Sequence, residues 1–207
     1  MIVSPIKAVA FDAFGTLVEI QRKKRPYAQI SKLATQHSAR HPMQSILSLS
    51  DYARDCGVVW QEVWAEELEE ELDSIHAYPE ARSVLLAVHQ LGLKTAIASN
   101  LALPYAKPLL NQLGDLVDVS CLSFEMGVVK PDPVFYQRLC NELECQPHEV
   151  LMVGDTWRCD YQGATEAGLL ALHLDRKAQP EDLQQTIAIS TLNGVLTRLM
   201  QTEAVEQ

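Results

Sequence analysis

KAVAFDAFGTLVE, residues 7–19, passes from a short apolar run into a glycine-containing turn. Residues 8–11 are too few for a helix and predict a strand buried on both faces, as in a parallel sheet. Asp12 then stands at the carboxyl end of that strand, where open α/β sheets bind their ligands. Gly15 permits a steep turn, and Thr16 places a hydroxyl beside the carboxylate. Taken alone, this stretch favours an aspartate that only caps a turn or a helix, so the rest of the chain has to decide.

The composition excludes several classes of protein. The length of 207 residues predicts one domain with a modest insertion. The net charge of −10 argues against a nucleic-acid partner. No apolar run is long enough to span a bilayer, and the N-terminus lacks the pattern of a signal peptide, so we expect a soluble, cytoplasmic protein with no membrane partner. The five cysteines form no CxxC pair and no zinc spacing, which predicts reduced thiols.

The segment from residue 19 to residue 78 is predicted to be helical and free of strands. Short helices are expected at 27–36 and after Ser48, whose spacing from Asp51 resembles a capping box. Apolar side chains in residues 60–75 recur at helical spacing opposite an acidic side, which predicts a long amphipathic helix. The acidic side is expected to be a solvated face.

After residue 79, predicted strands and helices alternate. Strands are expected at 94–99, 117–123, 150–153 and 170–174, and helices at 80–90, 103–113, 133–143 and 161–167. This alternation predicts an α/β fold with a parallel sheet and helices on both faces. The polar residues 202–207 are expected to fray.

Polar side chains that can act on an anionic group follow these strands. Ser99 and Asn100 end one strand, Lys130 lies in the loop beyond the next, and Asp155 and Asp160 follow the strand at 150–153. Parallel strands deliver all of them to the edge that holds the nucleophile candidate, where two carboxylates can share Mg²⁺. The hydroxyl and the ammonium can hold phosphoryl oxygens, and the cation lets a carboxylate attack an anionic phosphorus.

The order and content of these motifs resemble the haloacid dehalogenase superfamily over nearly the whole chain. Asp12 in DAFGT matches the nucleophile motif, Ser99 in IASN the second, Lys130 in GVVKPDPVFY the third, and Asp155 with Asp160 in GDTWRCDYQGA the fourth. The resemblance implies a Rossmann-like core, residues 1–18 and 79–207, with an all-helical cap, residues 19–78, inserted between the first two motifs.

The resemblance also implies roles for individual residues. The catalytic group would comprise Asp12, Thr16, Ser99, Lys130 and Asp160. Substrate would be bound by Ser99, Asn100 and Lys130. The ligands of Mg²⁺ would be Asp12, Asp155 and the backbone carbonyl of Phe14.

Phe14 departs from the pattern of the superfamily's phosphatases, which carry at this position an aspartate that protonates the leaving group. The superfamily's dehalogenases resemble this chain in having an aromatic residue there and in Tyr136, six residues beyond the lysine. They need no metal, and they replace the residue at Asp155 with serine and carry, near Trp157, an asparagine that positions water. Candidates for their halide-binding cap arginine are Arg22, Arg25 and Arg40.

These features lead to one main prediction and two alternatives. The main prediction is a Mg²⁺-dependent phosphatase that acts on a small phosphorylated metabolite through an aspartyl-phosphate on Asp12, slowly because Phe14 cannot transfer a proton. The alternatives are a metal-independent 2-haloacid dehalogenase and a catalytically quiet binding protein with the same fold. Substrate identity and oligomeric state stay open.

Overall fold

The computed structural model describes residues 6–38, 40–178 and 187–203, with side chains as far as residue 201. Its strands are β1 (Ala8–Phe11), β2 (Val18–Ile20), β3 (Ile75–Ala77), β4 (Lys94–Ser99), β5 (Val119–Leu122), β6 (Val150–Gly154), β7 (Leu170–Leu174) and β8 (Ala188–Ile189). Six of them form a parallel sheet in the order β5-β4-β1-β6-β7-β8. Because Phe11 of the central strand β1 pairs with Ile97 of β4 and Val153 of β6, the carboxyl ends of these strands lie together.

The helices, in chain order, are α1 (Pro26–Leu33), α2 (Leu49–Asp55), α3 (Val63–Leu72), α4 (Ala81–Gln90), α5 (Ala106–Leu113), α6 (Ser123–Met126), α7 (Pro133–Leu143), α8 (Gly163–Glu166) and α9 (Asn193–Glu203). Helices after α3 cover both faces of the sheet. Val9 and Phe11 of β1 pack with side chains of α4, α5 and α9, whereas Ala8 and Ala10 pack with those of α7. Successive strand residues point to opposite faces, so β1 is buried on both sides as its apolar sequence predicts.

The segment predicted to be the cap, residues 19–78, and called the cap below, has a small core of its own. Ile30, Tyr52 and Trp64 are buried there with neighbouring residues of α1, α2 and α3. The prediction of a strand-free segment is wrong at both ends, because β2 and β3 pair antiparallel where the chain leaves the sheet and returns. Three-residue strands are too short to show a sequence period, and their pairing depends on residues more than fifty positions apart. The division into core and cap at these residues stays a prediction.

Most elements of the alternating region lie where the sequence predicts them, including β4, α7 and β7. The predicted helix at 161–167 differs, because it begins as a π-helical turn, Trp157–Gln162, that continues into α8. The helix predicted over residues 60–75 is also shorter, since α3 ends at Leu72. β8 and α9 were not predicted, and the expected fraying of residues 202–207 concerns a stretch whose last four residues lie outside the described part. Among the described residues, no helix has the length and apolar character that crossing a membrane requires.

Candidate active site

Asp12 lies at the carboxyl end of β1 and is 8% exposed. Its Oδ1 accepts hydrogen bonds from Ser99 Oγ at 3.1 Å and from Lys130 Nζ at 2.9 Å. Within the described part of the chain, no hydrogen bond reaches Oδ2 of Asp12. The carboxylate is therefore fixed through one oxygen and presents the other for chemistry.

Lys130 joins three parts of the site. Its Nζ donates to Asp12 Oδ1, to Asp160 Oδ1 at 2.6 Å and to the Ala98 carbonyl at 2.6 Å, so all three of its N–H donors are used inside the protein. Burial alone would lower the pKa of Lys130, but the two carboxylates raise it above its ordinary value. Lys130 is thus a permanently charged residue that holds both aspartates in place.

Asn100 supports Lys130 through the backbone. Its Oδ1 accepts from the Lys130 backbone N–H and its Nδ2 donates to the Lys130 carbonyl, both at 2.8 Å. One N–H of the amide remains for a ligand. The predicted substrate-binding role of Asn100 stays a prediction, while its contact with Lys130 gives it a structural role that the sequence did not indicate.

Asp160 is presented by the π-helical turn that follows β6. It is 1% exposed, and its Oδ2 accepts from the Thr156 backbone N–H at 2.9 Å. A Cβ on Gly154 would lie 2.3 Å from the Asp160 carboxyl carbon, so glycine is needed for this close approach. The turn therefore brings a second carboxylate beneath Asp12.

A third carboxylate, Asp155, completes an acidic cluster, defined as Asp12, Asp155 and Asp160. One oxygen from each lies within 4.8 Å of the other two. Gly15, with φ of +90°, passes so close that a Cβ there would stand 2.1 Å from Asp155 Oδ2. The loop that follows Asp12 is thereby packed against the acidic cluster.

The charges of this cluster do not balance within the protein, because three carboxylates face one ammonium. Burial raises the pKa of Asp12 to about 6, and the charge of Asp160 adds to the rise while Lys130 opposes it. Asp155 lies at the solvent edge, yet desolvation of its carboxyl group and the charge of Asp160 raise its pKa too. Unbalanced carboxylate oxygens are the donors that Mg²⁺ prefers, so these residues fit a hard divalent cation.

Two other predicted residues of the nucleophile motif are not joined to the cluster by hydrogen bonds. Thr16 is fully buried, and its Oγ1 has no hydrogen-bond partner among the described residues. Phe14 is half-buried, and its ring packs edge-on against Tyr105 with ring centres 5.9 Å apart. The catalytic role of Thr16 and the metal-binding role of the Phe14 carbonyl stay predictions.

Arg176 holds the loop that follows Asp12 and was not identified from the sequence. Its guanidinium donates to the carbonyls of Gly15 and Thr16 at 3.2 and 2.7 Å. It also stacks over the Tyr78 ring at 3.6 Å and pairs with Glu80 at 2.7 Å. The available signal was its position two residues after β7, at the sheet edge where the other polar residues gather.

An apolar cavity of about 290 Å³ lies between cap and core beside Phe14. Of the three cap arginines proposed from the sequence, only Arg25 lines it. Arg22 is exposed elsewhere, and Arg40 pairs with Asp55 at 2.8 Å on the cap surface. Glu71 of α3 is 3% exposed and also lines the cavity, whereas the acidic side predicted for residues 60–75 is exposed as expected.

Tyr136 and Trp157, the two residues outside the first motif that the sequence compared with dehalogenases, lie apart from the hydrogen bonds of the acidic cluster. The Tyr136 hydroxyl donates to the Cys159 carbonyl, and its ring lies in the apolar core beneath the sheet. Trp157 is 48% exposed and stacks on Tyr161 with ring centres 4.4 Å apart. Neither side chain forms a hydrogen bond with the acidic cluster.

Comparisons with known proteins agree on one family. The profile of the haloacid dehalogenase-like hydrolases matches residues 6–168. The chain is 27% identical to (S)-2-haloacid dehalogenase 1 of Pseudomonas sp. (strain CBS-3), over 95% of this chain and 99% of that protein. It is 34% identical to the phosphoserine phosphatase of Thermus thermophilus, over 51% of this chain and 43% of that one.

Superposition on solved structures identifies the same fold. A HAD phosphatase from Thermococcus onnurineus superposes with a TM-score of 0.69 at 20% identity, over 94% of this chain and 98% of that one. The L-2-haloacid dehalogenase from Xanthobacter autotrophicus superposes with a TM-score of 0.67 at 22% identity, over 95% and 98%. Identities this low support the fold alone, and both kinds of enzyme are represented.

Proposed function

The chain belongs to the haloacid dehalogenase-like hydrolases, and we propose that within this family it is a Mg²⁺-dependent phosphatase of a small phosphorylated metabolite. The observation that carries the proposal is the acidic cluster, in which three carboxylates face a single ammonium. A metal-free site for an anionic haloacid would gain only repulsion from Asp155. A site that binds a divalent cation needs such a residue.

Asp12, Asp155 and the backbone carbonyl of Phe14 would hold the cation. When bound, Mg²⁺ would supply the positive charge that lets an anionic phosphoryl group approach a carboxylate. Lys130 and Ser99 keep the nucleophile oriented through Oδ1, whose two hydrogen bonds fix the plane of the carboxylate. The nucleophile therefore attacks from an arranged position rather than from a mobile side chain.

In the first step, a bond forms between Asp12 Oδ2 and phosphorus while the bond from phosphorus to the leaving oxygen breaks. Phe14 offers no proton, so the leaving oxygen departs as an anion and is protonated by solvent. In the second step, water attacks phosphorus, the Asp12–phosphorus bond breaks, and inorganic phosphate is released. We therefore expect slow turnover that favours leaving groups of low pKa, such as acyl and aryl phosphates.

The test is a screen of acyl, aryl and alkyl phosphates with Mg²⁺ and with EDTA. We expect phosphate release that EDTA abolishes and that Asp12→Asn lacks. Release that is equal with and without EDTA, or no release from any compound by the folded protein, would contradict the proposal.

Metal-independent 2-haloacid hydrolysis is the second candidate, and two observations favour it. Phe14 is aromatic, as in the superfamily's dehalogenases, and the likeness to a curated dehalogenase extends over almost the whole of both chains. Chloride release from 2-chloropropionate that survives EDTA would establish this activity. A catalytically quiet protein would instead bind Mg²⁺ in calorimetry and release neither phosphate nor halide.

A further inference from the structure

We propose that the cavity beside Phe14 binds the leaving group of the substrate as an aromatic ring, and that Arg25 binds an anionic substituent on that ring. This inference rests on the proposed phosphatase function and names its substrate class: an aryl phosphate that carries a carboxylate. The cavity is defined as the apolar space of about 290 Å³ between cap and core.

The cavity opens beside the nucleophile. Phe14 follows Asp12 by two residues and Asn100 follows Ser99 directly, and both line it. A group bonded to a phosphorus at Asp12 would therefore extend into this space. A buried cavity of about 150 Å³ holds benzene, so the volume of about 290 Å³ here is large enough for one substituted ring.

The walls of the cavity suit an aromatic ring. Tyr105 meets Phe14 edge-on, and Tyr27 lies with its ring centre 6.3 Å from that of Tyr105. Met43 and Leu101 complete an apolar lining. Aromatic rings prefer such edge-on and offset contacts, and a thioether adapts to the ring between them.

The chemistry of Phe14 gives an independent reason for an aromatic leaving group. Without a proton donor, the leaving oxygen has to depart as an anion. Phenol has a pKa near 10, as tyrosine does, whereas an aliphatic alcohol is closer to the value of about 15.7 for water. An aryl phosphate therefore needs the missing acid far less than an alkyl phosphate does.

Among the described residues, Arg25 is the only positively charged residue that lines the cavity. Its guanidinium forms no ion pair with any of the described residues. The neighbouring Lys24, by contrast, pairs with Glu70 at 2.8 Å. The other polar lining residues, Asn100 and Glu71, are already hydrogen-bonded within the protein. A planar guanidinium that has kept its donors free matches the two oxygens of a carboxylate.

Glu71 is a positioning residue for Arg25. Its Oε2 accepts from the backbone N–H groups of Lys24 and Arg25 at 2.7 and 2.5 Å, and its Oε1 accepts from the Tyr105 hydroxyl at 3.1 Å. Arg25 has φ of 61° and precedes a proline, a backbone conformation that residues with side chains rarely adopt. A buried carboxylate therefore holds Arg25 at the cavity and links the cap to Tyr105 of the core.

The test compares two inert phosphonates, 4-carboxybenzylphosphonate and benzylphosphonate, by calorimetry in the presence of Mg²⁺. We expect the carboxylated compound to bind about two- to fivefold more tightly to the natural protein, since Arg25 is exposed and an ion pair at an exposed site contributes about this factor. Arg25→Ala should remove this preference, and Arg25→Lys should retain part of it. Lys23→Ala is the matched control, because Lys23 is exposed, does not line the cavity, and forms no ion pair with a described residue.

Glu71→Gln tests the positioning role. It should reduce the preference for the carboxylated phosphonate while binding of benzylphosphonate is retained. An unchanged preference in this variant would overturn the role of Glu71. Equal binding of the two phosphonates by the natural protein, or an equal loss in Lys23→Ala and Arg25→Ala, would overturn the inference as a whole.

Turnover separates this inference from the proposed function. Phosphate release that is equally efficient from phenyl phosphate and 4-carboxyphenyl phosphate would refute the inference and leave the phosphatase proposal standing. A preference between the phosphonates with no phosphate release from any ester would refute the phosphatase proposal and leave the cavity assignment standing.

Discussion

Replacing Phe14 with aspartate should give the protein the proton donor that it lacks. General acid–base catalysis contributes about 10²- to 10⁴-fold, or about 2.7 to 5.5 kcal/mol of barrier. The new carboxyl group would lie beside an already acidic cluster in a loop shaped around a phenyl ring, so we expect a smaller gain, of about 10- to 100-fold. The gain should appear in kcat/KM for alkyl phosphates and be much smaller for phenyl phosphate, whose leaving group needs no proton.

Phe14→Asp should also destabilise the folded protein, because the substitution removes the contacts of the phenyl ring. The edge-on contact of Phe14 with Tyr105 is worth about 0.5 to 1.5 kcal/mol beyond burial, and the ring is half-buried, so the free energy of unfolding should fall by about 1 to 3 kcal/mol. Phe14→Asn is the control, because it loses the same contact and cannot transfer a proton. Equal activity of the two variants on an alkyl phosphate, with both folded, would refute the argument that the missing acid limits turnover.

Three further substitutions test the site. Lys130→Met leaves two buried carboxylates without their shared cation and should lower the free energy of unfolding in urea by about 3 to 5 kcal/mol; a loss below 1 kcal/mol would contradict the buried pairing. Asp155→Asn should weaken Mg²⁺ binding in calorimetry at least tenfold, and unchanged affinity would remove this residue from the metal site. Gly15→Ala should destabilise the protein more than Gly92→Ala, since both have positive φ but only the first Cβ would collide, at 2.1 Å from Asp155 Oδ2; equal losses in urea denaturation would mean that the loop moves aside.

The sequence predicted the fold of the core because five of the six strands of its sheet, all but β8, carry their own local signal. Residues 94–99 and 170–174 are short runs bounded by turns, and both are strands with those bounds. The residues of the predicted site lie far apart in the chain, yet Asp12, Ser99, Lys130 and Asp160 meet because parallel strands end at one edge of the sheet. Because the sheet is parallel, strands predicted from local sequence were enough to place these distant residues in one site.

Residues that act on the backbone of another segment could not be predicted in this way. The sequence analysis assigned no position to Glu71, which lies seven residues after the buried Trp64 and so on the same side of α3. That spacing was an available signal, but its partners, the N–H groups of residues 24 and 25, have no side-chain signature. Arg176 likewise recognises carbonyl groups, which every residue possesses.

The pair of short strands at the base of the cap has a consequence for how this protein acquires specificity. Val18 lies opposite Ala77, so the chain departs from the core and rejoins it at adjacent points. Neighbouring strands are about 4.8 Å apart, and any inserted segment whose two ends meet at that spacing can be joined to an unaltered core. The segment between β2 and β3, which contains both Arg25 and Glu71, can therefore be replaced as one unit. Asp12 and the other residues of the acidic cluster would stay unchanged.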